Sequence, residues 1–86
     1  DNPEHNYYAY ACPASNPNAD NCGGGADSSE YAAKQTALYW CGKYYNDCVV
    51  TRVNNKNVYQ QSLNEKVDFY LDVENLKDKV RNNGSN

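Results

Sequence analysis

Four cysteines, Cys12, Cys22, Cys41 and Cys48, constrain this chain more than any other feature of its sequence. The chain has 86 residues, and a domain of this size buries only about 60% of its unfolded surface, so its hydrophobic core is small. Gaps of nine, eighteen and six residues separate the cysteines, and no C-x-x-C pair is present to hold a zinc ion. We therefore expect two disulfides, and the sequence leaves all three connectivities open.

Disulfides form in oxidising compartments, which indicates a secreted, extracellular protein. No apolar run approaches the roughly 18 residues of a membrane-spanning helix, and no signal peptide precedes Asp1. The sequence Asn83-Gly84-Ser85 is a glycosylation sequon, which agrees with secretion. We expect one domain over residues 1–86, in a mature form whose leader was removed, with residues 1–5 and 83–86 frayed.

The net charge of −3 and the scattered basic residues argue against binding to nucleic acid. The densest basic stretch, Lys77 to Arg81, is typical of the cation-rich end of a solvated helix. No motif for a cofactor is present, and we expect none.

The first half of the chain predicts a strand, a loop and a helix. Tyrosines favour a strand from Asn6 to Cys12. Prolines, asparagines and three consecutive glycines predict a loop from Pro13 to Gly25, whose glycines serve as a flexible connector. The capping box that begins at Asp27 predicts a helix from Ser28 to Cys41. The face of this helix expected to be buried carries Ala33, Ala37, Trp40, Cys41 and Tyr44, opposite the polar Lys34, Gln35 and Thr36.

The second half predicts a hairpin and one ambiguous segment. β-Branched residues favour a strand from Cys48 to Val53, which returns after Asn54–Asn57 as a strand over Val58–Ser62. Apolar residues then alternate as in a strand from Lys66 to Asp72, and a helix follows to Asn82. A capping box at Ser62 supports the alternative of one helix over 62–82. The apolar stripe of that helix, however, would turn too far around the helix axis to be buried against a single surface.

These elements predict an α+β fold. A small antiparallel sheet, covered on one face by the main helix, is formed by the first segment, the hairpin and the Lys66–Asp72 strand. A second helix lies at the C-terminus, and two disulfides reinforce the domain.

The sequence offers little for catalysis, and we expect a protein that is not an enzyme. His5 is the only histidine and lies in a segment that is expected to fray, where it cannot be held for proton transfer. The acidic residues cluster at helix ends or alternate with apolar residues, a pattern typical of solvated side chains. A small secreted hydrolase is the least favoured alternative.

A weak candidate for a calcium loop precedes the helix. Asn16, Asn18 and Asp20 place oxygen ligands at alternate positions, and Asp27 stands at the twelfth position. The sixth position is Asn21 instead of glycine, and Pro17 interrupts the loop. An asparagine-rich turn that leads to a helix cap is the favoured interpretation, so we expect no metal.

Nine tyrosines are more than so small a core can bury, so some must face solvent. Exposed tyrosines are common at protein-recognition surfaces, and their rings also stack on sugars. The competing interpretation is that tyrosine replaces scarce leucine and phenylalanine in the core. The candidate binding residues are Tyr7, Tyr8, Tyr44 and Tyr45, with Tyr44-Tyr45 as the first choice because consecutive residues point in opposite directions.

Aromatic-x-cysteine tripeptides occur at Tyr10-Ala11-Cys12 and at Tyr39-Trp40-Cys41. Together with the size and the even number of cysteines, they resemble small secreted effector proteins of plant-pathogenic fungi. Many such effectors resemble ribonucleases without their catalytic groups, and others look like the small α/β killer toxins of smut fungi, which have more cysteines. The resemblance implies a virulence or toxin-like role but assigns no residue to it.

We therefore expect a secreted effector or toxin-like protein that binds a host or competitor protein through a tyrosine-rich surface. An extracellular glycan-binding module is the alternative.

Overall fold

The computed structural model describes residues 6–66 and 69–71. In chain order they form β1 (Tyr7–Pro13), β2 (Gly23–Asp27), α1 (Glu30–Cys41), β3 (Cys48–Val53), β4 (Lys56–Asn57) and α2 (Tyr59–Asn64). The described strands make one antiparallel sheet in the order β2-β1-β3-β4, and α1 packs across β1, β2 and β3. The predicted α+β class, with an antiparallel sheet covered by one main helix, is confirmed.

The two disulfides join elements that are neighbours in the sheet and its covering layer. Cys12–Cys22 links β1 to the residue before β2, and Cys41–Cys48 links the end of α1 to the start of β3. All four cysteines are paired, as expected from their number, and the structure supplies the connectivity that the sequence left open.

The glycine triplet is a strand, and its prediction as a flexible connector was wrong. Gly23 and Gly25 face α1, where a Cβ on Gly23 would lie 2.2 Å from the Ala37 carbonyl oxygen. A Cβ on Gly25 would lie 2.4 Å from the Ala33 carbonyl oxygen. The absence of side chains therefore lets the helix backbone rest directly on β2.

The core lies between α1 and the sheet and consists largely of small residues. Its buried members include Ala9, Ala11, Ala33, Ala37, Leu38, Cys41, Val50, Val53, Val58 and Phe69. Because the facing residues of β1 and α1 are alanines, α1 also packs closely on β1, as it does on the glycines of β2.

The buried face of α1 is rotated from the predicted one. Trp40 and Tyr44 are exposed, whereas Lys34 and Gln35 are buried. The Lys34 ammonium lies 2.8 Å from the Glu30 carboxylate and 4.2 Å from the centre of the Phe69 ring. These contacts replace the hydration that burial removes, so a lysine is accommodated on a buried face.

α1 begins at Glu30, and the predicted cap at Asp27 was wrong. The Ser29 hydroxyl accepts a hydrogen bond from the Ala32 N–H at 3.0 Å, so Ser29 is the N-cap. Asp27 ends β2 instead, and its carboxylate accepts a bond from the Ser28 N–H at 2.7 Å.

Replacing Ser29 by alanine is expected to lower the free energy of unfolding by about 1 kcal/mol, because one helix N–H loses its partner. Ser28→Ala is the matched control and should leave the stability nearly unchanged, since its hydroxyl caps no helix N–H. Urea unfolding followed by circular dichroism measures both. Equal effects of the two substitutions would contradict the assignment of Ser29 as the cap.

The hairpin is present, but its second strand is Lys56–Asn57, within the predicted turn, and not Val58–Ser62. The turn consists of Asn54 and Asn55, and β4 ends at Asn57. Val58–Ser62 was predicted as a strand and instead enters α2. The Asn57 side chain accepts a bond from the Tyr59 N–H at 3.0 Å, which turns the chain out of the sheet. The buried Ser62 hydroxyl then donates to the Val50 carbonyl at 2.6 Å and ties α2 to β3.

The predicted strand over Lys66–Asp72 is wrong where the structure describes it. Phe69, Tyr70 and Leu71 form a turn and bend outside the sheet. The Phe69 carbonyl accepts one bond from the Val50 N–H at 3.2 Å, and the Tyr70 carbonyl accepts one from the Gln35 side chain at 2.9 Å. The predicted C-terminal helix to Asn82 and the frayed termini lie outside the described residues.

Asp47 fastens the segment after β1 to the segment before β3. Its carbonyl oxygen accepts a bond from the Ala14 N–H at 2.7 Å, and its carboxylate accepts one from the Ser15 N–H at 3.0 Å. The bond from the Ser15 backbone holds the pKa of the Asp47 carboxyl below its usual value of 3.8.

Candidate binding surface

The sheet has an outer face, which we define as the face turned away from α1. Along β1 the side chains alternate, so Ala9 and Ala11 face the helix while Tyr8 and Tyr10 lie on the outer face. Tyr8 is 57% exposed and Tyr10 is 46% exposed. Two tyrosine rings are therefore presented to solvent on one strand.

β1 holds these rings on a rigid support, because it is hydrogen-bonded to a strand on each side. A Cβ on Gly24 would lie 3.7 Å from the Tyr10 ring, which shows that this ring leans over β2. On the other side, Tyr10 is paired with the exposed Arg52 of β3. We call Tyr8, Tyr10 and Arg52 the aromatic sheet face.

A second group of exposed aromatic residues lies at the end of α1. The rings of Tyr39 and Trp40 meet edge to face with their centres 5.2 Å apart. The Lys43 ammonium lies 4.8 Å from the centre of the Tyr39 ring and 5.5 Å from that of Trp40. Trp40 is 51% exposed and Tyr44 is 65% exposed. We call Tyr39, Trp40, Lys43 and Tyr44 the helix-end cluster.

The four predicted binding residues divide into two exposed and two half-buried side chains. Tyr8 and Tyr44 are exposed, whereas Tyr7 and Tyr45 pack against the core. Tyr7 and Tyr8 are consecutive in β1 and point in opposite directions, whereas Tyr44 lies in the turn after α1, where its N–H donates to the Cys41 carbonyl at 3.0 Å. A role in binding stays a prediction for all four.

Five residues of these surfaces were not among the predicted binding residues, namely Tyr10, Arg52, Tyr39, Trp40 and Lys43. The alternation of Tyr8 and Tyr10 with two alanines was a signal for Tyr10, because period-two patterns place both tyrosines on one face. Trp40 was assigned to the buried face because it follows the helical period of Ala33, Ala37 and Cys41. The close contact between α1 and β2 leaves no space for an indole there.

An open groove lies between the hairpin, the start of α1 and Phe69. Its volume is about 690 Å³, which is within the usual range for ligand pockets. Its walls carry the side chains of Glu30, Asn54, Asn55, Lys56 and Gln61, over the apolar Val53, Val58 and Phe69. The groove therefore combines several donors and acceptors with an apolar floor.

The calcium-loop candidates are not brought together. The Asn16 side chain accepts a bond from the Asn18 N–H at 3.1 Å and so forms a local turn. Asp27 lies at the far end of β2 from Asp20, and four steps along an extended strand span about 13 Å. Within residues 6–66 and 69–71, no group of three His, Cys, Asp or Glu side chains could hold a metal ion. His5 lies outside these residues.

No helix in the described part of the chain is both long and apolar enough to cross a membrane. Comparisons with family models, with curated proteins and with solved structures find no match to this chain. The two aromatic surfaces and the groove are therefore the features of this chain that bear on its function.

Proposed function

We propose that the chain is a secreted binding protein of the effector or toxin-like kind, which recognises a host or competitor protein through exposed aromatic side chains. The observation that carries the proposal is the aromatic sheet face. Its two tyrosines are exposed on the central strand β1, which is paired on both sides. The two disulfides are compatible with secretion.

Rigid aromatic side chains suit recognition because little conformational entropy is lost when they are covered. Tyrosine, tryptophan and arginine are the residues in which binding energy is most often concentrated. The aromatic sheet face carries tyrosine and arginine, and the helix-end cluster adds tryptophan. Both surfaces therefore have the composition of recognition sites.

The test is affinity capture from candidate host and competitor extracts with the wild type and the double variant Tyr8→Ala, Tyr10→Ala. We expect quantitative mass spectrometry to find a protein that the wild type retains and the double variant loses, because two anchoring rings are removed. Asn55→Ala, in the exposed hairpin turn, is the matched control and should retain this protein. Equal retention by the wild type and the double variant would contradict the proposal.

The groove supports a glycan-binding module as the second candidate. Carboxamide and charged side chains above an apolar floor are suited to sugar hydroxyls and to the apolar faces of sugar rings. A glycan array distinguishes the candidates, since sugar binding lost in Asn55→Ala but kept in the tyrosine double variant would assign the function to the groove.

A further inference from the structure

Among the described residues, β2 forms one edge of the sheet, and its outward backbone groups have no partner there. In β1, the Tyr8 N–H donates to the Asn54 side chain at 3.0 Å, and the Tyr8 carbonyl accepts from the Asn54 N–H at 2.7 Å. The backbone groups of Tyr8 therefore point toward β3, and those of the flanking residues point toward β2. In β2 the groups of Gly25 pair with β1, while those of Gly24 and Ala26 point away from it.

Four groups thus line this edge, namely the N–H and C=O of Gly24 and of Ala26. Among the described residues, no loop or helix supplies a hydrogen bond to them. Edge strands are commonly protected by proline, by lysine or by a bulge, and β2 has none of these. The exposed Gly24 also carries no side chain that would block an approaching strand.

Aromatic residues flank this edge on both faces of the sheet. The Tyr10 ring leans over Gly24 on the outer face. On the opposite face, Thr36 of α1 is turned toward β2, because a Cβ on Gly25 would lie 2.8 Å from the Thr36 Cβ. Trp40 follows four residues later and therefore lies on the same side of the helix, the side of β2. A strand added to β2 would pass between these two rings.

We propose that the β2 edge binds an extended segment of a partner protein by β-strand addition. The segment pairs with the backbone of Gly24 and Ala26 and places alternate side chains against Tyr10 and Trp40. This inference rests on the proposed binding function and names its mode of recognition.

A strand without a covering helix fits this edge best. The α1 backbone lies against β2, as the contacts at Gly23 and Gly25 show, and α1 also packs on β1. In a second copy paired antiparallel about a twofold axis, both helices would lie on the same face of the joined sheet, where each restricts the position of the other. An extended segment that carries no helix meets no such restriction, and we assign the edge to a segment of this kind.

The charges near the edge give the segment a direction. The Lys43 ammonium lies 5.5 Å from the centre of the Trp40 ring, and the one ion pair among the described residues joins other side chains. The backbone of Trp40 approaches β2 at Gly23, so the cation is held at that end of the strand. All strand pairs among the described residues are antiparallel, and a segment that continues this pattern has its C-terminal end there. We therefore expect apolar side chains at alternate positions and an acidic residue near the C-terminal end.

The test selects peptides from a displayed library of random 12-residue sequences on the wild-type protein. Selected peptides should bind Ala26→Pro about tenfold more weakly, because proline removes an edge N–H without breaking the pairing with β1. Ala26→Ser keeps the N–H and should bind as the wild type does. On binding, amide hydrogen exchange should slow at Gly24 and Ala26. Thermal melting of each variant verifies that it is folded. Amide hydrogen exchange at Gly24 and Ala26 is measured on the wild type, so this result does not depend on the folding of any variant.

Three results would overturn the inference. The first is that no peptide is selected, and the second is that selected peptides bind Ala26→Pro as tightly as the wild type without slowing exchange at Gly24 and Ala26. The third is slowed exchange at these amides that depends on protein concentration alone, which would assign the edge to a second copy. If the tyrosine double variant loses partner capture but Ala26→Pro retains it, the proposed binding function holds. Only strand addition at the β2 edge is then contradicted.

Discussion

Alanine in place of Gly25 is expected to lower the free energy of unfolding by about 3 kcal/mol, among the largest effects of a single methyl group in this chain. The added Cβ would lie 2.4 Å from the Ala33 carbonyl oxygen and 2.8 Å from the Ala37 N–H nitrogen. Both atoms belong to the backbone of α1, so no side-chain rotation can relieve the contact. The helix would have to move away from β2 and loosen the alanine-rich core.

Gly24→Ala is the matched control, since it lies in the same strand on the outer face. Its Cβ would meet atoms only at ordinary contact distances, the nearest of them in the Tyr10 ring at 3.7 Å. This substitution should leave the stability within about 1 kcal/mol of the wild type, because alanine restricts the unfolded chain and fits the extended backbone. Urea unfolding of both variants measures the difference. Similar stabilities for Gly25→Ala and Gly24→Ala would contradict the close packing of α1 on β2.

Removal of the Cys41–Cys48 disulfide by the double substitution Cys41→Ala, Cys48→Ala is expected to cost about 2.5 kcal/mol. The bridge closes a loop with a sequence separation of 7, and cross-linking restricts the unfolded chain by about this amount. Because so small a domain has a total stability near the lower end of about 5–15 kcal/mol, this loss is a large fraction of it.

The Cys12–Cys22 bridge, with a separation of 10, should contribute about as much or slightly more. Thermal unfolding of the two double variants, compared with the oxidised wild type, measures both contributions. Alkylation without reductant should add no label to the wild type. A labelled thiol, or melting temperatures that do not change, would contradict a structural role for the bridges.

The elements with a strong side-chain pattern were predictable from the sequence. The tyrosines and alanines of β1, the helix-forming residues of α1 and the β-branched residues of β3 each repeat with the period of their structure. β2 was missed because glycine gives no pattern of polar and apolar side chains. Its strand structure arises from its pairing with β1 and from the fit of α1, which are both tertiary effects.

The chain after the hairpin was harder to predict for a related reason. The residues after Asn57 have side chains that suit a strand, but an asparagine side chain and the buried Ser62 hydroxyl direct them into a helix. The asparagine bond is a local turn between residues two apart, whereas the Ser62 bond depends on the position of β3. Local sequence alone does not contain the second bond.

The candidate surface was partly predictable. The exposure of Tyr8 follows from the rule that consecutive side chains in extended chain point in opposite directions. Tyr44 is exposed for a different reason, because it lies in the turn that follows α1. The exposure of Trp40 does not follow from such a rule, since it depends on how closely the helix backbone approaches β2.

The most direct test of the central claim, that exposed aromatic side chains bind a partner, is calorimetric titration of a purified captured partner into four proteins. These are the wild type, Tyr10→Ala, Tyr44→Ala and His5→Ala. The account predicts that Tyr10→Ala weakens binding by about 30-fold, which corresponds to roughly 2 kcal/mol for an anchoring residue. It also predicts weaker binding by Tyr44→Ala and unchanged binding by His5→Ala. Normal binding by both tyrosine variants, together with loss of binding by His5→Ala, would contradict a role for the exposed aromatic side chains and reopen the alternative of an enzyme.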